Sequence, residues 1–364
     1  MSKADEAFIR MCKDILENGT STEDEAVRPH WPDGTPAYTL KKFGVVNRYD
    51  LRQEFPALTL RKIGLKSAMD EILWIYQEKS NNIHDLNSHI WDEWADKNGS
   101  IGAAYGYQMA KKNRVKGITE EGIMKAFPGY EKVIIEDDGW RNIYYLPAGA
   151  TEESKKIAIQ ETSCMEDQNA REDYEFKNRA YVIKQEDLYV EGGDGEGTTW
   201  LMDQINHVIY QLKNTPFSRR IMTMMWNPAD AVDMALEPCA YSMTFNVTDD
   251  GGEKLVLNTI LNQRSQDILA ANGWNVAQYA LLAMMIAQVC NMVPGEFVHV
   301  IADAHIYDRH VSMIRELINR TPQPAPKVWL DPDVKDFYDF TTDNLHIENY
   351  EVGGPQIKDI PIAV

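Results

Sequence analysis

A single cysteine stands at the start of a strand-like run, in the segment EPCAYSMTFNV at residues 237–247. Cys239 follows a proline and precedes residues whose alternating character is typical of a β-strand. A free cysteine in such a position is often a small, inert, buried hydrophobe. It can also be a nucleophile, where a cationic neighbour lowers the pKa of the thiol. The residue type and its position leave both roles open.

Two arginine motifs lie on either side of Cys239 along the chain. The first, SRR, contains Arg219 and Arg220, and the second, QRS, is centred on Arg264. Both stand beside otherwise apolar strand patterns, where an unpaired guanidinium is costly. We therefore expect each motif to meet either a bound anion or internal carboxylates, and the residues alone allow both.

Two other segments invite interpretation as ligand sites. In DAHIYDRH, a strand would place Asp303, His305 and Tyr307 on one face and leave His310 off that register. This spacing favours a hydrogen-bonding row over a metal cluster. The GGDGEG run at 192–197 resembles a phosphate loop, but it lacks a lysine and a preceding strand, and its own acids would repel phosphate. We predict a solvated loop there.

Charge and composition restrict the partners. The chain has 364 residues, a formal net charge of −19 and 44% hydrophobic residues. Such a charge repels nucleic acid and anionic membrane surfaces, so neither DNA nor a membrane is an expected partner. The four cysteines form no CxxC pair and have no histidine at zinc spacing, which argues against a disulfide framework and a structural metal. A reducing cytoplasm is the expected location.

The elements that must position these residues can be predicted from periodicity. The N-terminal segment MSKADEAFIRMCKDILENG has the pattern of an amphipathic helix that ends at Gly19, and charges interrupt it too often for a signal peptide. The stretch VAQYALLAMMIAQVC is shorter than the roughly 20 residues of a membrane span and carries two glutamines, so it predicts a core helix. Strands are predicted at FGVVNRYDL, RRIMTMMWN, YSMTFNV, KLVLNTILNQRS and FVHVIADAHIYD.

One stretch differs in texture from the rest. From about 113 to 198 the chain carries acidic clusters, glycines and only short apolar runs. We interpret it as an insertion, and as an excursion on the surface of the protein.

Taken together, the chain resembles the folate-dependent thymidylate synthases that use a cysteine nucleophile, a superfamily that also contains deoxyuridylate hydroxymethylases. The resemblance runs in order over nearly the whole chain except the insertion. Its segments are LRQEFPALT, EILWIYQ, HIWDEWADKNG, GAAYGYQ, DQINHVIYQLKNTPFSRRIMTMMWNPAD, PCAYSMTFNV, NQRSQD, NVAQYALLAMMIAQ, ADAHIYDRH and the terminal IAV.

This resemblance implies a fold and an assembly. We expect an α/β (α+β) architecture, in which a single domain spanning 1–364 is interrupted by the insertion at about 113–198. Its mixed six-stranded sheet would be flanked by helices, and two such sheets would stack across a homodimer.

The resemblance also implies the chemistry, which is reductive methylation of dUMP to dTMP with methylene-tetrahydrofolate as one-carbon and hydride donor. Cys239 would attack carbon 6 of the uracil, and Arg264 would lower the pKa of its thiol. Glu71 would run a proton relay through water, and Tyr105 would lie near the proton that leaves carbon 5. Asn275 would read the uracil edge.

Two sets of binding residues follow from the same resemblance. Arg219 and Arg220 would reach in from the other subunit. They would bind the phosphate, whose oxygens suit guanidinium forks. The residues implied to hold dUMP are Arg28, Arg219, Arg220, Gln263, Arg264, Ser265, Asp267, Asn275, His305 and Tyr307. The residues implied to hold the folate are Trp91, Trp94, Asp267, Ala271 and Val364, the last as the carboxylate of a closing tail that excludes water.

The chain departs from the common family pattern at two places. Ala240 follows the cysteine where many members have histidine, and AANGWN at 270–275 replaces the usual LGxPFN. The second change substitutes Gly273 and Trp274 for proline and phenylalanine, so pterin packing is expected to differ.

Three functions remain open on this basis. The first is a thymidylate synthase, which the intact Trp94 and the IAV terminus favour. The second is a phage-type dUMP hydroxymethylase, in which water replaces hydride as the final acceptor. The third is a non-catalytic nucleotide or RNA binder, which the presence of Cys239 disfavours.

Overall fold

The computed structural model of the chain describes residues 1–137, 140–149, 151, 183–188 and 197–363. It divides into two compact units, which are described separately. The first comprises Met1–Ile72 with Cys239–Val364, and the second comprises Leu73–Pro238.

Helices and strands of the described residues are numbered in chain order. The helices are α1 (Lys3–Asn18), α2 (Leu65–Leu73), α3 (Gly106–Ala110), α4 (Glu120–Ala126), α5 (Gln204–Asn214), α6 (Asn272–Val289) and α7 (Val311–Leu317). The strands are β1 (Thr20–Ser21), β2 (Thr39–Asp50), β3 (Asn113–Val115), β4 (Tyr130–Asp137), β5 (Trp140–Pro147), β6 (Ile183–Leu188), β7 (Gly197–Met202), β8 (Met222–Met224), β9 (Ala240–Thr248), β10 (Val256–Asp267), β11 (Val293–Tyr307), β12 (Lys327–Leu330) and β13 (Leu345–Glu348).

The mixed six-stranded sheet predicted from the sequence is confirmed, and five of its strands belong to the first unit in the order β1-β2-β11-β10-β9. The β10–β11 pair is parallel, whereas β9 and β2 pair antiparallel with β10 and β11. Because β9 runs opposite to β10, the beginning of β9 lies at the same end of the sheet as the ends of β10 and β11. Chemically active residues from three strands can therefore meet at that end.

One face of this sheet supports the core. Along β10, alternate side chains such as Leu257 and Leu261 are buried, as expected for a strand that packs one face against other elements. Helix α6 covers β10 and β11, and its side chains, Leu281 and Leu282 among them, are buried around most of its circumference. The segment predicted as a core helix is therefore a core helix.

The other face of the sheet is only partly covered within the chain. Val46 on β2 and Ile260 on β10 expose 47% and 39% of their surface. In register with them lie Val300 and Val298 of β11, so the four side chains form one apolar strip across three strands.

Helix α1 begins and ends with side-chain and backbone caps that its sequence supplies. The Ser2 hydroxyl accepts a hydrogen bond from the Asp5 N–H, and the Gly19 N–H closes the last turn on the Ile15 carbonyl. The buried side chains of the helix, including Phe8 and Met11, share one face. The amphipathic helix predicted for this segment is observed with the expected end.

The second unit contains a five-stranded antiparallel sheet in the order β3-β7-β6-β5-β4, which is built from the stretch that we interpreted as an insertion. Helix α4 of this stretch packs against α5. Tyr145 and Trp200 are almost fully buried, with ring centroids 5.5 Å apart. The stretch is thus more extensively structured than its acidic composition suggested, because a few large aromatic side chains supply the apolar surface.

Among the described residues, no helix combines the length and the apolar character that crossing a bilayer requires.

Candidate active site

The candidate site of the first unit lies where β9 begins and β10 and β11 end. Cys239 immediately precedes β9, and its carbonyl accepts a hydrogen bond of 2.9 Å from the backbone N–H of Arg264 on β10. Ser265 and Asp267 stand opposite Asp303 and His305 of β11 in the parallel register. The local sheet pairing therefore brings the PCA, QRSQD and DAHIY motifs together.

Cys239 differs from the other described cysteines in its accessibility. It is half-buried, whereas Cys12 and Cys290 are buried. Arg264 is likewise half-buried beside it. Cys239 is paired with an arginine through its backbone, and part of its side chain is exposed. A reactant can therefore reach its thiol, whereas it cannot reach a fully buried thiol.

Charged groups around the cysteine affect the pKa of Tyr307, which lies at the end of β11. Burial is the main cause that raises its pKa, to about 12, and negative charge at Asp267 and Cys239 acts in the same direction. The positive charge of Arg28 opposes them. The phenol is therefore a neutral hydrogen-bonding group at physiological pH. Tyr307 therefore interacts electrostatically with Cys239, Arg28 and Asp267.

Asn275, in the first turns of α6, is held by three glutamine side chains. Its Oδ1 accepts hydrogen bonds of 3.3 Å from the Nε2 of Gln263 and the Nε2 of Gln266. Its Nδ2 donates to the Oε1 of Gln278 at 2.8 Å. Gln263 is itself anchored, because its Oε1 is bonded to the Nε2 of buried His299. Asn275 and Gln263 thus belong to one network of amides.

Asp267 ends β10 and is surrounded by donors. Its Oδ1 accepts hydrogen bonds from the Leu269 and Ala270 N–H groups at 2.9 and 3.0 Å. Burial raises the pKa of this carboxyl. It is lowered by a larger amount by the hydrogen bond and positive charge of His310, the Ala270 N–H and the charge of His305. The net result is a pKa below its ordinary value, so the group is an anion at neutral pH. Half-buried Ala271 follows in the same turn and bonds the Asp267 carbonyl.

Sequence reasoning missed two residues that contact this carboxylate region. The side chain of His310 lies 3.5 Å from Asp267 Oδ1 through Nδ1, and its Nε2 lies 2.8 Å from the carbonyl of Pro361 in the C-terminal tail. Burial lowers the pKa of His310, but Asp267 and the Pro361 carbonyl raise it by more. Buried Arg61 donates to the Ala270 carbonyl at 3.2 Å. The strand period had set His310 apart from the row, and no local pattern marked Arg61.

The hydrogen-bonding row predicted on β11 is observed in part. His305 is buried and its Nδ1 lies 2.8 Å from Asp303 Oδ1, and its ring meets that of Tyr307 edge to face at 5.0 Å. In the part of the chain that the structure describes, no three histidine, cysteine or acidic side chains are grouped closely enough to hold a metal ion.

Glu71 lies in the last turn of α2 and is buried, with 5% of its surface exposed. Its Oε2 accepts a hydrogen bond of 2.5 Å from the indole Nε1 of Trp274, one residue before Asn275. The Glu71 carboxylate is thus hydrogen-bonded to the residue that precedes Asn275, the candidate for recognising the base.

The aromatic candidates belong to the second unit and lie together there. The ring of Trp91 meets Tyr105 at 4.9 Å and Trp94 at 5.8 Å between centroids, each edge to face. Tyr105 has a φ of +44°, a strained value for an aromatic residue. The next residue, Gly106, approaches the backbone so closely that a Cβ there would lie 1.9 Å from the Ser80 carbonyl oxygen. The close packing of this turn explains the strained backbone.

Arg219 and Arg220 are both exposed, also in the second unit. Within the described ranges, neither guanidinium forms an ion pair with a carboxylate. Val364 and most of the GGDGEG run at 192–197 lie outside the described residues.

Comparisons with known proteins agree on one family. A family model described as "Thymidylate synthase" matches residues 6–364. The chain is 34% identical over 366 aligned residues to thymidylate synthase 1 of Bacillus subtilis (strain 168), and 33% identical over 366 to the thymidylate synthase of Bacillus phage phi3T, in both cases over the full length of both chains. Among solved structures it resembles the thermostable thymidylate synthase A from Bacillus subtilis, with 32% identity, a TM-score of 0.70 and 99% of each chain covered.

Proposed function

The chain belongs to the thymidylate synthase family, and from this premise we propose how its own residues carry out the reductive methylation of dUMP to dTMP. The observation that carries the proposal is the meeting, at one end of the sheet of the first unit, of a half-open cysteine with an arginine, an aspartate, a tyrosine and a network-bound asparagine.

Cys239 acts as the nucleophile. Its thiolate attacks carbon 6 of the uracil, the new carbon–sulfur bond takes the thiolate electron pair, and carbon 5 becomes an enolate carbon that can attack an electrophile. The backbone bond between Arg264 and Cys239 pairs the two residues across the strands, which puts the guanidinium within reach of the sulfur. Arg264 stabilises the thiolate and, with Ser265 and Arg28, binds the phosphate.

Base and sugar are bound by side chains that form hydrogen bonds. Asn275 reads the uracil through its amide, donating to O4 and accepting from the N3–H, and the glutamines around it orient that amide. His305 and Tyr307 bond the ribose hydroxyl, and the raised pKa of Tyr307 keeps its proton available for donation.

Methylene-tetrahydrofolate, when bound, supplies the one-carbon unit and the hydride. The chain offers two features that fit such a ligand. Asp267 is an anionic acceptor for the N–H groups of a pterin ring, with Ala271 beside it. Trp91 and Trp94 present aromatic surface for stacking, with Tyr105 packed against Trp91. Val364, with the tail that His310 holds at Pro361, closes the site and excludes water.

A second copy of the chain completes the enzyme. The apolar strip of Val46, Ile260, Val298 and Val300 suits the packing of one sheet on its equivalent in a homodimer. Arg219 and Arg220, exposed and without carboxylate partners among the described residues, then donate to the phosphate bound by the partner. The protein acts in the cytoplasm, where its free thiols stay reduced.

The product decides between the synthase and the hydroxymethylase. The protein is incubated with dUMP and methylene-tetrahydrofolate, and the nucleotide is identified by mass while dihydrofolate is followed by absorbance. We expect dTMP, with one dihydrofolate formed for each dTMP. Hydroxymethyl-dUMP formed without dihydrofolate would instead assign the hydroxymethylase activity.

A further inference from the structure

The contact between Trp274 and Glu71 joins two segments that are 203 residues apart in the chain. The indole Nε1 lies 2.5 Å from the carboxylate Oε2, and Glu71 is 95% buried. A buried carboxylate depends on the few donors that reach it, because water contributes little to its solvation. The indole N–H is therefore one of the donors that stabilise this group.

The residues around Trp274 lie close to the segment that precedes α2. At Gly273, a Cβ would lie 2.9 Å from the Ile63 Cδ1, so a larger residue would require the Ile63 side chain to move. At Gly64, a Cβ position would lie 3.5 Å from the indole ring, an ordinary van der Waals distance. The ring of Trp274 therefore lies close to the residue that precedes α2.

An indole has one polar function, a donor, and cannot accept a hydrogen bond. It can donate to an oxygen that accepts a hydrogen bond. It cannot accept a hydrogen bond from the O–H of a protonated carboxyl group. Trp274 therefore holds the Glu71 oxygen in one place, and its N–H stabilises negative charge on that oxygen. A phenylalanine, which the common family pattern has at this position, would fill space without donating.

We propose that Trp274 is a positioning residue that orients Glu71 for its proton relay and ties it to the α6 turn that carries Asn275. Trp274 acts only through Glu71. The proposal rests on the proposed function, since it presupposes that Glu71 takes part in the proton transfers of the dUMP reaction.

The test is Trp274→Phe, which keeps an aromatic ring and removes the donor. We expect kcat to fall about tenfold, as for loss of a hydrogen bond to a charged group, with the KM for dUMP changed less than about twofold. The acid limb of the kcat–pH profile should move to higher pH, because the ionised carboxylate has lost a donor. Release of tritium from [5-³H]dUMP should slow in parallel. Trp329→Phe is the matched control, since the ring of Trp329 stacks on His346, and this substitution should leave all three readouts unchanged.

A double-mutant cycle separates this inference from the proposed function. Glu71→Gln alone should lower kcat at least about a hundredfold, and Trp274→Phe added to it should lower kcat no further. If Glu71→Gln is impaired but Trp274→Phe retains the wild-type kcat and pH profile, or adds its loss independently, the positioning role is wrong. If Glu71→Gln itself turns over normally, the role of Glu71 in the proposed function fails as well.

Discussion

At the scale of single residues, the described cysteines differ in how accessible their thiols are to solvent. Burial raises the pKa of the Cys12 thiol, so that side chain remains protonated and unreactive. Cys290 is also buried, and Cys239 alone among the described cysteines is half-open. The chemistry proposed for the protein therefore depends on one sulfur atom.

We predict that Cys239→Ser lowers turnover more than about a hundredfold, because a serine hydroxyl is not ionised at neutral pH. Binding of dUMP, measured by titration calorimetry, should change only a few-fold, since the phosphate and base contacts remain. Cys290→Ala, at a buried thiol away from the chemistry, serves as control and should retain turnover. A Cys239→Ser enzyme that keeps more than a hundredth of the rate would remove Cys239 from the nucleophile role.

Asn275 gives a second prediction at this scale. An aspartate there can still accept from Gln263 and Gln266, but it lacks the donor for uracil O4. When protonated, it can serve the cytosine edge instead. Asn275→Asp should shift the binding preference from dUMP toward dCMP by at least about tenfold, as competition binding of the two nucleotides can show. Gln278→Glu, which alters only the support of the amide, should leave the preference for dUMP in place. An unchanged ratio in Asn275→Asp would mean that another group reads the base.

The motif residues could be proposed from the sequence because each lies in a short segment that resembles the family. Arg61 and His310 could not, since their partners come from elsewhere in the fold: Arg61 reaches Ala270, and His310 reaches both Asp267 and Pro361. The same is true of the bond from Trp274 to Glu71. Long-range partners follow from tertiary packing, which spacing along the chain does not encode.

At the scale of elements, β11 carries a buried histidine whose titration affects folding. Burial lowers the pKa of His299 to about 3, and the side chain has no exposed surface. Its ordinary pKa is 6.5, so as the pH falls below that value the unfolded chain takes up a proton that the folded chain does not. The folded state therefore loses stability progressively from about pH 6.5 towards pH 3.

We predict that His299 costs about 2 kcal/mol of unfolding free energy between pH 7 and pH 5. Chemical denaturation of the wild type and of His299→Gln at both pH values measures this term as a difference. The variant loses a bond to Gln263 and should be less stable at pH 7, but its stability should fall by about 2 kcal/mol less on acidification. Equal falls in the two proteins would show that the folded protein accommodates the protonated ring.

Periodicity predicted α1 and the strands of the main sheet, because each has a clear apolar face, whereas α6 was predicted from the length of its apolar run. It failed in the stretch around β3 to β7, whose buried residues include Tyr144, Tyr145 and Trp200. These aromatic residues are separated by polar and acidic positions, so the average composition indicates a solvated surface. A small number of large side chains is enough to give a sheet a packed face.

At the scale of the whole molecule, the exposed arginines of a strongly acidic chain suggest a site shared between copies. A Cys239→Ser subunit lacks the nucleophile, and an Arg219→Ala subunit lacks the phosphate donor. In a homodimer that exchanges Arg219 across the interface, a mixed dimer contains one site with both native groups. Subunits that do not exchange this residue would form no native site.

Equal amounts of the two variants, dissociated and reassembled together, should therefore regain about a quarter of the wild-type activity, because half of the dimers are mixed and each has one native site. Each variant reassembled alone provides the baseline. Failure to exceed the sum of those baselines, with mixed dimers verified by native mass spectrometry, would place Arg219 outside the site of the other subunit.

Thr59 illustrates how the ends of the chain are connected. Its N–H donates to the Asp5 carboxylate in α1, its hydroxyl accepts from the Gln323 N–H, and its carbonyl accepts from the Gly353 N–H. Asp5 and Thr59 are both fully buried. Three segments that lie far apart in the sequence thus contact one buried residue, so a displacement of Thr59 would disturb all three contacts.

Such a junction couples the opening of the two ends. In native-state hydrogen exchange, the amides of Thr59, Gln323 and Gly353 should exchange with the same opening free energy and the same dependence on denaturant, as members of one cooperative unit. Thr59→Val, which removes the hydroxyl and keeps the backbone bonds, should lower that shared free energy for all three amides together. The N-terminal helix and the C-terminal tail would then fray as one body rather than as two independent ends.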